Sequence, residues 1–252
     1  MRHVTLCCIV VLSFGTTKAQ SPQPPLDDER LTVHTLVRED IFAGLRANNM
    51  DRFERGERNI ERLLQTRPNE RADLLAWKGS ATLYRSALAH EAGDEKEFRE
   101  TYRLTLDLFD QARKADPNSA GVASIIGASY ALFADRLPEV VRRVAWESSY
   151  ESYQKLKTLQ SECLAHVPTH MRGELYAGLA LASERTGRTK EFSKHLDTIS
   201  QVLPKTNYSR IAISWKESPE KAKTGTITCK SCHSQGRLSA RLAELGPKIA
   251  PQ

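Results

Sequence analysis

The stretch LLQTRPNERA, residues 63–72, closes an apolar run with a proline and is followed at once by a new apolar run. The same arrangement returns in ARKADPNSAG (112–121), LAHVPTHMRG (164–173) and SQVLPKTNYS (200–209). Proline lacks a backbone N–H and its ring clashes with the preceding helical turn, so each stretch predicts a helix end and a change of direction. The prolines are separated by 49, 51 and 36 residues, which predicts helical hairpins of unequal length.

Between these prolines the apolar residues recur at helical spacing from Leu31 to Leu203. No run of alternating apolar and polar residues, bounded by turn chemistry, interrupts this pattern, so the sequence predicts no strand there. The hydrophobic fraction of 40% and the charged fraction of 27% are typical of a globular protein. We therefore expect an all-α domain over residues 31–207.

The aromatic and small residues of the hairpins resemble the tetratricopeptide repeat (TPR), in which small residues let two antiparallel helices approach closely. The second hairpin places Trp77, Ala81 and Tyr84 at the spacing of the W-x2-L-G-x2-Y segment. The remaining matched positions are Gly44, Gly56, Ile60, Leu63 and Pro68 in the first hairpin, Phe109, Ala112 and Pro117 in the second, Ile126, Gly127 and Tyr130 in the third, and Tyr176, Leu179, Ala180, Leu196 and Pro204 in the fourth.

The match is degenerate, because the second and third hairpins carry roughly 12 and 17 residues more than the 34-residue repeat. The resemblance implies TPR-like antiparallel hairpins stacked in a right-handed superhelix, whose concave face holds a partner segment. The alternative is a generic helical bundle in which the small residues merely permit close packing.

The N-terminal residues have the layout of an export signal. Residues 1–19 combine a basic start, an apolar run from Val4 to Phe14 and small or polar residues up to Ala19, which predicts a cleaved signal peptide. The apolar run is too short for a permanent membrane span. The following residues 20–30, QSPQPPLDDER, are rich in proline and predict a disordered lead-in. We expect a periplasmic or secreted protein without a stable membrane span.

The charge and cysteine counts exclude two classes of protein. The formal net charge is +6, and acidic and basic residues are mixed along the chain, which is typical of solvated helix faces and not of a nucleic-acid-binding stripe. Removal of the signal peptide leaves three of the five cysteines, Cys163, Cys229 and Cys232. An odd number in an exported protein argues against a disulfide framework.

The stretch TITCKSCHSQGRL, residues 226–238, contains a C-x-x-C-H motif. It resembles the attachment motif of c-type cytochromes, where two thiols form thioethers with one haem and the adjacent histidine binds the iron. The resemblance implies that Cys229 and Cys232 attach the haem and that His233 is the proximal iron ligand. We expect a polar linker over residues 208–228 and a haem-attachment segment over residues 229–252, with one short amphipathic helix, RLSARLAEL, ended by Gly246 and Pro247.

A self-contained cytochrome c fold is not predicted, because 19 residues follow His233 and none of them is a methionine. The haem is expected to be covered by the short helix and by the helical domain. The sequence leaves the distal iron ligand open among seven candidates: His34, His90, His166, His170, His195, Met50 and Met171.

Two other sites would use the same cysteines. Cys163 and His166, spaced i and i+3 on one predicted helix face, would join Cys229 and Cys232 in a structural zinc site. The simpler interpretation of Cys163 is a buried core cysteine. Alternatively, Cys229 and Cys232 form a dithiol redox pair, although no thioredoxin-like βαβ pattern surrounds them.

The leading functional hypothesis is an exported electron carrier with covalently attached haem c, whose TPR-like domain docks a protein redox partner or a periplasmic complex. The alternative is a TPR-like interaction scaffold without redox function, with a zinc or thiol site. A third hypothesis is a small-ligand sensor or peroxidase with an open iron site. No other catalytic motif is present, so the sequence favours electron transfer or binding over an enzyme.

Overall fold

The computed structural model describes residues 22–227 and 236–247. Over these two ranges the chain forms α-helices, 3₁₀ turns and irregular segments and no strand, which confirms the predicted all-α class. The α-helices in these ranges are α1 (Val33–Ala47), α2 (Met50–Thr66), α3 (Arg71–Glu91), α4 (Glu95–Ala115), α5 (Ala120–Phe133), α6 (Glu139–Leu159), α7 (Thr169–Arg185), α8 (Thr189–Val202), α9 (Asn207–Glu217), α10 (Glu220–Thr224) and α11 (Arg237–Leu245).

Several features predicted from the sequence fall outside these two ranges. The predicted signal peptide (1–19), the first two residues of the lead-in and the C-x-x-C-H motif (229–233) lie outside the described residues. Among the helices that are described, none is both long enough and apolar enough to cross a bilayer.

The helix ends follow the local chemistry of the sequence. Helices α1, α2 and α4 begin at N-cap residues whose side chains accept a hydrogen bond from the first turn: Thr32, Asn49 and Asp94. Prolines stand where the helices change direction, as predicted, although α6 ends at Leu159, nine residues before Pro168. The residues between Leu159 and Pro168 form successive turns in which backbone N–H and carbonyl groups bond to each other. One example is the hydrogen bond from the N–H of His166 to the carbonyl of Cys163, at 2.8 Å.

Neighbouring helices pair as antiparallel hairpins: α1 with α2, α3 with α4, α5 with α6, and α7 with α8. The first helices of the four hairpins, α1, α3, α5 and α7, also pack against each other and run parallel. Ser119, the N-cap of α5, donates a hydrogen bond to Asp73 near the start of α3, and Tyr84, in the second half of α3, stacks on Phe133, the last residue of α5. This packing is compatible with a helical repeat, and the aromatic and small residues matched to the TPR pattern in the second hairpin are buried.

Because α1, α3, α5 and α7 are parallel, their C-terminal ends lie along one side of the array. We call this side the hairpin edge, and it contains the turns 48–49, 92–94, 134–138 and 186–188. Arg136 joins Glu91 at 2.6 Å along this edge, and Arg185 joins Asp135 at 3.3 Å. These ion pairs link the ends of α3, α5 and α7.

The expectation of a disordered lead-in is corrected for residues 22–30. The Arg67 guanidinium donates hydrogen bonds to the backbone carbonyls of Leu26, Asp28 and Leu31, at 2.9, 2.9 and 2.7 Å. Asp28 is buried and makes a salt bridge with Arg30. The polar composition of this segment does not reveal these contacts, because their donor, Arg67, lies at the C-terminal end of α2.

The expectation of a linker over residues 208–228 is also corrected, over its described part. Helices α9 and α10 occupy most of it, and α9 packs against α8 while α10 packs against α7 and α9. The buried side chains of this region are Tyr208, Ala212, Trp215, Ala222 and Ile227. These residues cover the end of the last hairpin, a requirement that a hairpin array imposes on its terminal unit.

Candidate functional site

The three residues expected to hold haem, Cys229, Cys232 and His233, lie outside the described residues. The segments immediately before and after the motif are described, however, and both are attached to the helical domain. Their positions define where the motif enters and leaves the fold.

The segment before the motif is held by Arg185, the last residue of α7. Its guanidinium donates to the carbonyl of Ala222 at 2.7 Å and to that of Gly225 at 3.4 Å, and it lies 5.6 Å from the ring of Trp146. Ile227 follows and is 1% exposed. The chain up to Ile227 is therefore held at the hairpin edge, beside the last hairpin.

The segment after the motif is held by Glu39, in the middle of α1. Its carboxylate accepts hydrogen bonds from the backbone N–H of Leu238 at 2.7 Å and of Gly236 at 3.4 Å. Helix α11 packs on α1 through one apolar face. Leu238 is buried there, and Leu242 and Leu245 are half-buried against the core. The amphipathic helix predicted for RLSARLAEL is thus confirmed, and it is docked on the first hairpin.

The flank before the motif contacts the last hairpin, and the flank after it contacts the first. Ile227 and Gly236 are separated by nine residue steps, which span at most about 32 Å when the chain is fully extended. The described flanks at Ile227 and Gly236 therefore lie within that distance of each other.

Three of the proposed distal ligands have imidazoles engaged inside the domain. His195 is 4% exposed, its Nε2 atom is buried without a hydrogen-bond partner, and burial with the nearby Lys157 and Lys194 lowers its pKa to about 4. The Nδ1 atom of His170 is 3.0 Å from the hydroxyl of Tyr208. The Nδ1 atom of His90 is buried, 3.8 Å from Glu95.

The other four candidates are more accessible or differently placed. His34 and His166 are exposed, and the Nε2 atom of His34 lies 3.4 Å from a guanidinium nitrogen of Arg38. Met171 is 52% exposed, and Met50 is half-buried at the hairpin edge. The described structure assigns none of the seven to the iron, and His195 is the candidate that burial argues against most strongly.

The interpretation of Cys163 as a buried core cysteine is wrong. Helix α6 ends at Leu159, and Cys163 is an exposed free thiol within the turns that follow. His166 is exposed in the same turns, so these two residues do not share the helix face on which the zinc hypothesis relied. In the part of the chain that is described, no group of three or more His, Cys, Asp or Glu residues is placed to hold a metal ion.

Sequence reasoning missed Glu39, Arg30 and Arg185, the residues that hold the flanks. Glu39 and Arg185 are single charged residues in helices, and Arg30 lies in the polar segment before α1, so no local pattern marks any of the three. Comparison of the chain with models of protein families, with curated proteins and with solved structures finds no match.

Proposed function

We propose that this protein is an exported c-type haem protein that carries electrons to or from a protein partner. The observation that carries the proposal is the C-x-x-C-H motif at residues 229–233. Its donor set fits haem c: the thiols of Cys229 and Cys232 are spaced for two thioether bonds, and the imidazole of His233 binds the iron. When bound, haem c supplies one-electron redox chemistry.

The attachment of both flanks to the helical domain supports this function. Arg185 holds the chain before the motif, and Glu39 holds the chain after it. A carrier benefits from such a tether, because electron exchange requires the redox centre to lie at a reproducible position when the partner docks. In our proposal the helical domain provides that position.

The TPR-like character of the domain is part of the proposal. The first helices of the successive antiparallel hairpins pack on one another, and this arrangement supports a right-handed superhelix. The concave face of that superhelix would dock the redox partner or a periplasmic complex. Nucleic acid is not proposed as a partner, because basic and acidic residues alternate along the helices. Export by residues 1–19 agrees with haem attachment, which in bacteria takes place after export.

The test is a pyridine haemochrome spectrum, with a haem stain on a denaturing gel, after export in a strain that has a cytochrome c maturation system. The control is the double variant Cys229→Ala, Cys232→Ala, and Cys163→Ser is a second control that keeps the motif. We expect a covalent c-type signal in the native chain and in Cys163→Ser, and none in the double variant.

A colourless protein, from a strain that matures another c-type cytochrome, would contradict the proposal. In that case a metal assay separates the alternatives. Stoichiometric zinc that is lost in Cys163→Ser favours the structural zinc scaffold, and reversible oxidation of two thiols favours the dithiol site. If haem is attached but exchanges no electrons with small mediators, electron transfer is excluded, and carbon monoxide binding to the reduced protein then tests an open iron site.

A further inference from the structure

Helix α11 is held at both of its ends by side chains from the beginning of the helical domain. It starts at Arg237, four residues after His233, so its position bears directly on that of the proposed haem. Its contacts with Glu39 and Arg30 join parts of the chain that are about 200 residues apart, as in the bond between Glu39 and Leu238, with a separation of 199.

At the start of α11, Glu39 supplies the cap that the helix itself lacks. Gly236 occupies the N-cap position with φ 91° and has no side chain to accept a hydrogen bond from the first turn. The carboxylate of Glu39 accepts instead from the N–H groups of Gly236 and Leu238. A negative charge is also favourable there, because the N-terminal end of a helix carries partial positive charge.

Glu39 is itself connected to the buried core of the first hairpin. Arg52 lies with one guanidinium nitrogen 3.7 Å from the Glu39 carboxylate and donates from Nε to Asp40 at 2.9 Å. Asp40 is 1% exposed and also accepts from Arg55. The acceptor for α11 is therefore fixed to α1 and α2 and is not a freely rotating surface side chain.

At the end of α11, Arg30 donates to the carbonyls of Leu245 at 3.3 Å and Gly246 at 3.2 Å. Arg30 is oriented by a bidentate pair with Asp28, at 2.9 and 2.8 Å. Since α11 begins beside residue 39 and ends beside residue 30, it runs antiparallel to α1. The two contacts fix both the position and the direction of the helix.

We propose that Glu39 and Arg30 form a clasp that positions the haem by fixing the segment that follows His233, with Glu39 as the principal positioning residue. The proposal rests on the proposed function, because it assumes a haem at the motif. In the protein with the clasp closed, the haem is held in one asymmetric environment against the helical domain. Opening the clasp leaves the thioether bonds intact and removes that fixed environment.

The first part of the test does not depend on haem. In the Cys229→Ala, Cys232→Ala background, hydrogen exchange of the amides of residues 239–245 is compared for Glu39→Ala, Glu39→Gln and the control Glu100→Gln. Glu100 is an exposed glutamate on α4 for which no contact with α11 is present in the described structure. We expect roughly tenfold faster exchange in Glu39→Ala, as for the loss of a helix cap, a smaller increase in Glu39→Gln, and none in the control.

The second part uses the matured haem protein and the same variants, with circular dichroism in the Soret band as the readout. This signal depends on an asymmetric environment of the haem and not on electron transfer activity. We expect it to fall to about half or less in Glu39→Ala, with the haem still covalently attached. Leu242→Asp, which disrupts the apolar stripe of α11 without changing α1, should give the same two effects if the helical domain stays folded.

Three outcomes would overturn the proposal. Unchanged exchange of α11 in Glu39→Ala would show that the clasp does not hold the helix. Faster exchange with an unchanged Soret signal, in both Glu39→Ala and Leu242→Asp, would show that the haem is positioned by other contacts. Absence of haem from the native chain would end the proposed function and the positioning role together, while the exchange data would still decide whether Glu39 holds α11.

Discussion

Gly79 in α3 and Phe109 in α4 approach so closely that a Cβ atom on Gly79 would lie 2.6 Å from Cδ1 of the Phe109 ring. Phe109 is 1% exposed, so its ring has little space to move away. The residue matched to the small position of the TPR pattern in this hairpin is Ala81, yet Gly79, two residues earlier, is the position where a Cβ atom would clash with α4.

We therefore expect Gly79→Ala to destabilise the domain by about 2 kcal/mol, because overpacking outweighs the gain in helix propensity. The free energy of unfolding, measured with urea, tests this. Phe109→Leu combined with Gly79→Ala should recover part of the loss, as a double-mutant cycle would detect. An unchanged or increased stability of Gly79→Ala would show that the two helices can separate at small cost.

The buried carboxylate of Asp40 accepts from the Nε atoms of Arg52 and Arg55, at 2.9 and 2.7 Å. Asp40→Asn removes the charge that compensates Arg52, whose side chain is 9% exposed. We expect a loss of roughly 3 kcal/mol in the free energy of unfolding. Glu54→Gln, an exposed change on α2, is the control and should shift stability by less than about 0.5 kcal/mol. Equal effects of the two substitutions would contradict this role of Asp40.

His195 should make the stability of the domain depend on pH. Burial lowers its pKa to about 4, whereas an unfolded histidine has a pKa of about 6.5, so between these values the unfolded chain binds the extra proton. The contribution of neutral His195 to the free energy of unfolding is fully present above about pH 6.5. It is lost as the pH falls towards 4, by up to about 3 kcal/mol.

Replacement of the His195 imidazole by an apolar side chain removes its part of this dependence, while His34, whose pKa is also lowered to about 4 by desolvation and by Arg38, keeps its own part. The difference in unfolding free energy between pH 7 and pH 4.5 should be smaller in His195→Leu than in the native chain, by about 2 kcal/mol. His166→Leu, at an exposed histidine, is the matched control and should keep the native pH profile. Identical profiles for all three proteins would mean that the pKa of His195 is not lowered in the folded state.

Arg185 should protect the segment before the motif from proteolysis. Its bonds to the carbonyls of Ala222 and Gly225 hold α10, which contains the trypsin sites Lys221 and Lys223. In Arg185→Ala we expect cleavage after these lysines to be several times faster than in the native protein, because local opening becomes easier. Arg143→Ala, at a side chain that is 77% exposed, should not change the cleavage rate. Equal rates in all three proteins would show that Trp215 and Ile227 suffice to hold the segment.

Local signals in the sequence predicted the helices well. Helical periodicity and prolines predicted the hairpins and the all-α class, and the pattern RLSARLAEL predicted α11. The predictions that failed concern contacts. Cys163 was expected in the core, but α6 ends before it, and the burial of a single residue is set by where its helix stops and not by its residue type.

The sequence by itself determined the helical content, the direction changes and the C-x-x-C-H motif, because these depend on backbone chemistry and on residues close together in the chain. Only the tertiary structure decided that residues 22–30 and 208–227 are attached to the domain and that α11 docks on α1. Those features depend on hydrogen bonds such as that between Glu39 and Leu238, 199 residues apart. The pairing of one glutamate with one distant backbone N–H leaves no periodic pattern, so the fold must bring the two groups together before the contact can be seen.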